Sequence, residues 1–206
     1  MRGRGRASFG RFRRQPPDKG SRRQDRLVEK TAEKTAAKRQ KNAANKPKTA
    51  AKSDKIRITF VCTGNTCRSA MAERIFKEEI ARRGLKDKFA INSYGLRVKP
   101  QDEINPKAVE ALKSLGYRAA KHKAKPLTLA AAKKSDLIVC MTARHKAEID
   151  LEKCYTVGDI TGGGDVADPF GAPVSEYVRA AKYLAYSVDE TLELAEKTAA
   201  NRRNNQ

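Results

Sequence analysis

Nine residues, Val61-Cys62-Thr63-Gly64-Asn65-Thr66-Cys67-Arg68-Ser69, restrict the fold of this chain more than any other stretch. An apolar run precedes them (Ile56, Ile58, Phe60, Val61), and a run with helical spacing follows from Ala70 to Arg83. The pattern predicts a strand that feeds a tight loop, which in turn opens a helix. Successive backbone N–H groups of a short glycine-containing loop can converge on one anion. The N-terminus of the following helix adds unpaired N–H groups and the positive end of its dipole. The same field favours the thiolate of a cysteine at the loop's floor, the role expected for Cys62 at neutral pH. Arg68 can grip two phosphoryl oxygens at once. An anion site with a nucleophile at its base points to phosphate transfer, not to phosphate binding alone.

Other uses of these residues fit less well. A Walker-type nucleotide loop needs Gly-Lys followed by Ser or Thr, and the sequence has none. A zinc site would have to join Cys62 and Cys67 to the distant Cys140 and Cys154, without a Cys-x-x-Cys pair. Two buried structural thiols would leave Gly64, Asn65, Arg68 and Ser69 without a purpose. Neither a metal nor a cofactor is therefore expected.

The charge is uneven along the 206 residues. Net charge is +21 in all, and residues 1–55 hold 19 Lys or Arg against 5 Asp or Glu. Beyond Met1, the large apolar residues of that segment are Phe9, Phe12, Leu27 and Val28. It cannot bury enough surface to offset its ordering entropy, so residues 1–54 are expected to be a disordered basic extension. Its start, with Arg2, Arg4, Arg6 and Phe9, Phe12, is an Arg/Gly tract with aromatics, which suits nonspecific contact with nucleic acid or another polyanion. A solvated tail without a fixed role and an organelle transit peptide are the other readings of it. Residues 55–206 are long enough to form one domain. No apolar run is long enough to cross a membrane, and no signal-peptide core follows the basic start. Four irregularly spaced cysteines do not make a disulfide framework, so the cytoplasm is the expected compartment.

From residue 56 on, short apolar runs alternate with helical patterns, which predicts a parallel sheet covered on both faces. The expected strands are 56–61, 89–93, 137–141 and 154–157. The expected helices are 69–83, 105–115, 128–134, 144–149 and 175–198. A loop at the C-terminal end of the first strand is where open α/β sheets bind ligands.

A thiolate that attacks a phosphoryl group needs an acid to protonate the departing atom. Gly162-Gly163-Gly164-Asp165-Val166-Ala167-Asp168-Pro169-Phe170-Gly171 has the composition of a flexible loop over a pocket. Asp168 is the expected acid, Pro169 fixes the backbone after it, and Phe170 is placed to wall the pocket. Asp165 is the competing carboxylate, and either could be only a turn former.

The segment Phe60 to Ser69, continued by Met71-Ala72-Glu73, and the distant Asp168-Pro169-Phe170 resemble the low-molecular-weight protein tyrosine phosphatase family. The resemblance covers about residues 55–200. It implies a three-layer αβα fold with a four-stranded parallel sheet and metal-free hydrolysis of phosphorylated proteins. It implies Cys62 as the nucleophile that forms a phosphocysteine, with Thr63, Gly64, Asn65, Thr66, Cys67 and Ser69 completing the phosphate loop. Arg68 would bind the phosphoryl oxygens, Ser69 would stabilise the thiolate, and Asn65 would hold the loop's strained turn. Asp168 would protonate the leaving group and then activate water. Cys67 would trap the nucleophile as a reversible disulfide under oxidation. His122 matches the family's histidine that braces the loop, and is as readily a core histidine. The family usually has Pro where this chain has Ala70.

Within the family the chain is most similar to the bacterial protein arginine phosphatases. They share Thr-Gly-Asn-Thr in the loop and Asp-Pro-Phe-Gly, where tyrosine phosphatases usually carry a bulkier aliphatic at Thr66 and paired aromatics after the Asp-Pro. A phosphotyrosine ring wants apolar and aromatic walls. A guanidinium wants a hydroxyl or carboxylate partner, which Thr66 offers. Phosphoarginine hydrolysis is thus the expected activity, with Thr66 and Phe170 setting specificity. A tyrosine phosphatase of the same fold is the nearest alternative. Arsenate reductases need a further closely spaced cysteine pair, and Cys140 and Cys154 do not offer one. A nucleic-acid-associated protein with an inactive domain is the reading from a different class.

Overall fold

The computed structural model describes residues 55–99 and 101–204. The expected basic extension, residues 1–54, lies outside the described residues. Four strands, β1 (Ile56–Cys62), β2 (Phe89–Gly95), β3 (Leu137–Cys140) and β4 (Cys154–Thr156), form one parallel sheet in the order β2-β1-β3-β4. Seven helices accompany them among the described residues: α1 (Arg68–Arg82), α2 (Pro106–Ser114), α3 (Leu129–Lys134), α4 (Ala143–Ile149), α5 (Val157–Thr161), α6 (Val174–Tyr186) and α7 (Val188–Asn204).

Alternation along the central strands sorts their side chains into two cores, because successive residues of a strand point to opposite faces. Ile56, Ile58, Phe60 and Cys62 of β1, with Leu137 and Val139 of β3, meet α1, α2, α6 and α7. Val61, Ile138, Cys140 and Cys154 face a smaller cluster with Ala132 of α3 and, partly buried, Ile149 of α4. This is the expected three-layer αβα arrangement. All four residues of β3 are buried, as in a strand covered on both faces. The rings of Phe60 and Phe76 pack with centroids 4.5 Å apart in the larger core, each burial contributing about 1.5–3 kcal/mol.

Two local expectations are corrected. The long helix expected at 175–198 is two helices broken at Ser187, a buried residue whose Oγ donates to Leu184 O at 2.8 Å. Side-chain bonding back to the preceding turn competes with helix continuation. The apolar stripe is still buried across the break (Ala181, Leu184, Val188, Leu192, Ala195). Val157, expected to end β4, instead starts α5. Thr156 accepts from Asp159 N while Asp159 accepts from Thr156 N, a reciprocal cap that starts a helix at once. The remaining elements lie within two residues of their expected bounds at each end.

Candidate active site

The loop between β1 and α1 stands at the C-terminal edge of the sheet. Cys67 precedes α1 without a side-chain cap, and no acidic residue sits in the helix's first turn. The first N–H groups of α1 therefore remain open to an anion beside the loop. Cys62 Sγ lies 2.9 Å from Ser69 Oγ, and Asn65 N–H donates to the sulfur at 3.3 Å.

A buried network holds the loop in this shape. Asn65 adopts φ 57°, the left-handed region that few side chains tolerate. Its Nδ2 donates to Ser69 Oγ at 2.9 Å and Ser93 Oγ at 2.8 Å, and its Oδ1 accepts from Lys125 N at 2.9 Å. Ser93 in turn donates to Glu73, a carboxylate that is 3% exposed. Burial alone would raise the Glu73 pKa, but hydrogen bonds from Lys77 and Ser93 and the Lys77 charge outweigh it and hold it below the usual range. His122 Nε2 stands 2.9 Å from Asn65 O, so its N–H donates there, while Nδ1 faces Glu73 at 3.8 Å.

Arg68 is 5% exposed and reaches across to the acidic loop. It donates to Val166 O at 3.1 Å and to Asp168 Oδ2 at 2.7 Å. Asp165 turns elsewhere and accepts from Ala143 N at the start of α4, at 2.9 Å. A cavity of about 660 Å³ opens over the loop, lined by Cys62, Thr63, Gly64, Thr66, Cys67, Arg68, Asp168 and Phe170 together with residues of the 97–106 segment. Phe170 stands at its rim, 73% exposed. Cys67 lines the cavity as well, and burial pushes its thiol up, with the charges of Cys62 and Asp168 adding to the effect. Cys140 and Cys154 lie in the smaller core and do not line this cavity.

Sequence reasoning missed three contributors. Gly95 ends β2 against the loop: a Cβ there would come within 2.8 Å of Thr63 O and 2.9 Å of Asn65 N. A glycine inside a strand pattern signals such a close approach. Glu73 is part of the family-like motif, yet nothing in the motif pointed to its buried contact with Ser93. His145 is 5% exposed and contacts Thr63 Oγ through Nε2 at 2.9 Å. Nothing in the linear pattern links it to a residue 82 positions away.

Burial lowers the pKa of both histidines, and nearby cations add to the effect: Arg74 and Lys125 at His122, Arg68 at His145. The folded state thus prefers them neutral. Below the ordinary histidine value of about 6.5 the unfolded chain binds more protons than the folded one. Their contribution to stability is complete above that pH and is lost as pH falls toward the lowered folded values. The thermal midpoint should therefore drop between pH 7 and 5. A flat midpoint over that range would show that neither histidine is held neutral.

A parallel αβα sheet that brings a thiol, an arginine and a carboxylate to one anion-binding loop defines a cysteine-based phosphatase. Residues 57–201 match the low molecular weight phosphotyrosine protein phosphatase family, and the chain belongs to that family. It is 38% identical over 155 residues to the protein-arginine-phosphatase of Bacillus subtilis (strain 168), covering 71% of this chain and 99% of the relative. It is 34% identical over 143 residues to the low molecular weight protein-tyrosine-phosphatase PtpB of Staphylococcus haemolyticus, covering 65% and 95%. Among solved structures, it is similar to the YwlE arginine phosphatase in a cysteine-to-serine mutant with a phosphorylated active site serine. That likeness has a TM-score of 0.62 at 36% identity and covers 72% of this chain and 99% of the other. The chain is accordingly an enzyme, a low-molecular-weight protein phosphatase. No helix among the described residues is long and apolar enough to cross a membrane.

Proposed function

We propose that this phosphatase hydrolyses phosphoarginine in proteins through a phosphocysteine. Cys62 Sγ attacks phosphorus along the floor of the cavity while the P–N bond breaks, and Asp168 gives its proton to the departing guanidine nitrogen. Asp168, now a carboxylate, then takes a proton from water, whose oxygen attacks the phosphocysteine. The S–P bond breaks, and inorganic phosphate and the Cys62 thiolate remain. Arg68 binds the phosphoryl oxygens in both steps. The pairing of Asp168 with Arg68 supports this division of labour. The two stand 2.7 Å apart, so an entering phosphoryl group replaces Asp168 as the partner of Arg68, and the released carboxylate takes up from solvent the proton it then gives to the leaving group. A phosphorylated serine in the similar arginine phosphatase mutant supports a covalent intermediate at the position of Cys62. Asn65 and Ser69 keep the loop and thiolate in place, His122 braces the Asn65 carbonyl, and Cys67 guards the nucleophile by disulfide formation under oxidation. We assign residues 55–206 to the phosphatase domain, the cytoplasm as its compartment, and a nonspecific polyanion contact to residues 1–54.

The observation that carries the arginine assignment is Thr66, a hydroxyl on the cavity wall between the nucleophile and the 97–106 segment. Among the described residues its Oγ has one hydrogen-bond partner, Cys67 Sγ at 3.7 Å, which leaves it able to accept from a guanidinium. Thr66→Ile keeps the β-branch and removes the hydroxyl. A buried guanidinium donor left unpaired costs about 1–3 kcal/mol, so phosphoarginine kcat/KM should fall by about ten- to a hundredfold. An aryl phosphate has no such donor and should be turned over as well or better. An unchanged ratio between the two substrates would remove the main support for arginine. The exposed Phe170 ring at the rim favours the second reading, a tyrosine phosphatase, and the same pair of measurements decides between them.

A further inference from the structure

His145 belongs to no part of the reaction described above, yet it is buried against the phosphate loop. Its Nδ1 stands 2.9 Å from Thr142 Oγ, and its Nε2 stands 2.9 Å from Thr63 Oγ. Thr142 is also the N-cap of α4 and accepts from His145 N at 3.3 Å. Neither hydroxyl has another partner among the described residues. Thr63 lines the cavity that holds Cys62 and Arg68.

A neutral imidazole offers one donor and one acceptor, so the chain of bonds has two arrangements. With the proton on Nδ1, Thr142 accepts twice, its own O–H proton has no acceptor, and the Thr63 proton is spent on Nε2. With the proton on Nε2, Thr142 accepts from the His145 backbone and donates to Nδ1. The ring then donates to Thr63 Oγ, and the Thr63 O–H is left to point into the cavity. Each arrangement leaves one hydroxyl proton without a protein acceptor, but only the second leaves it on Thr63, which lines the cavity where an anion can accept it. We propose that His145 is a positioning residue: clamped between two threonines, it turns the Thr63 hydroxyl proton toward the phosphoryl oxygens. The proposal rests on the reading of Cys62 and Arg68 as the phosphate site.

The surroundings agree with a neutral ring. Burial lowers the affinity of His145 for a second proton, Arg68 lowers it further, and Glu148, Asp168 and Asp165 act in the opposite direction. The same helix carries a second link, since Asp165 of the acidic loop accepts from Ala143 N. Helix α4 thus touches the phosphate loop through one end of His145 and the acid loop through its own first residue.

The test has two arms, both on the full chain. The sequence has two histidines, His122 and His145, so their ring nitrogens are readily distinguished by nuclear magnetic resonance. At pH 7, with and without inorganic phosphate, His145 should be neutral with its proton on Nε2. A proton on Nδ1, or on both nitrogens, overturns the proposal without any variant being made. The second arm measures inhibition by inorganic phosphate for Thr63→Val, His145→Phe and the pair. Each single change should weaken phosphate by about ten- to a hundredfold, the range for a hydrogen bond to a charged group. The pair should be no worse than the worse single variant, because both remove one interaction. Losses that multiply, or a His145→Phe protein with a lower thermal midpoint and unchanged phosphate inhibition, would reduce His145 to a packing residue. The phosphate-site reading itself fails separately, through retained turnover in Cys62→Ser.

Discussion

Cys62→Ser should lower turnover by roughly 10⁴-fold or more, the scale of losing a covalent nucleophile. The serine hydroxyl fits where the thiol sits, between Ser69 Oγ and Asn65 N. It is not ionised at neutral pH, and a neutral hydroxyl is a far weaker nucleophile than a thiolate. Phosphate and vanadate should still bind, because the loop N–H groups, the start of α1 and Arg68 are untouched. Turnover on phosphoarginine and aryl phosphates is compared with the dissociation constant for vanadate. Near-wild-type turnover in the variant would sink the covalent mechanism, and loss of vanadate binding would show that the loop had collapsed.

Asp168→Asn should lower kcat by about 10²–10⁴, the usual worth of a positioned general acid. Its effect on binding should run the other way. Asp168 is paired with Arg68 and competes with any phosphoryl group for it, and an amide competes less well than a carboxylate. Inhibition by inorganic phosphate should therefore be unchanged or tighter while kcat collapses. The loss should shrink for a substrate whose leaving group departs without a proton. Asp165→Asn serves as the control: its carboxylate caps α4 through Ala143 N and does not line the cavity. Should Asp165→Asn show the leaving-group dependence and Asp168→Asn not, the acid has been assigned to the wrong loop residue.

Local chemistry explains which features were legible in the sequence. The strand–loop–helix unit around Cys62 announces itself through apolar alternation, a glycine and helical spacing within one continuous stretch. The choice of Asp168 over Asp165 was harder, because both sit in one Gly-rich loop and only distance to Arg68 separates them. The break at Ser187 lay inside an apolar stripe that continues across both helices, so periodicity alone favoured one long helix. Helix α5 was hidden because Val157 suits a strand, and the Thr156–Asp159 cap that starts the helix is a three-residue signal. Glu73, Ser93, Gly95 and His145 reach the loop only through where α1, β2 and α4 place them, up to 82 positions away in sequence. Apart from the glycine inside a strand pattern at Gly95, no pattern local to those residues carries that information.

Val166 changes how the acid must be delivered. Its N–H donates to Met141 O at the end of β3, at 2.8 Å, and its carbonyl accepts from Arg68. Its side chain is 1% exposed in the larger core. Both backbone groups and the side chain of one residue, two positions before Asp168, are thus fastened to the rigid part of the domain. The Gly162–Gly164 run lies on the far side of this pin and cannot carry Asp168 with it. The segment consequently behaves as a short tether rather than a lid. In the proposed mechanism Asp168 changes partners, from Arg68 to a leaving group and then to water, by motions of its own side chain and the two or three peptide units around it. Such motions belong to nanoseconds, whereas closure of a whole loop takes far longer. Under the proposed mechanism, proton delivery then needs no opening and closing of a cover.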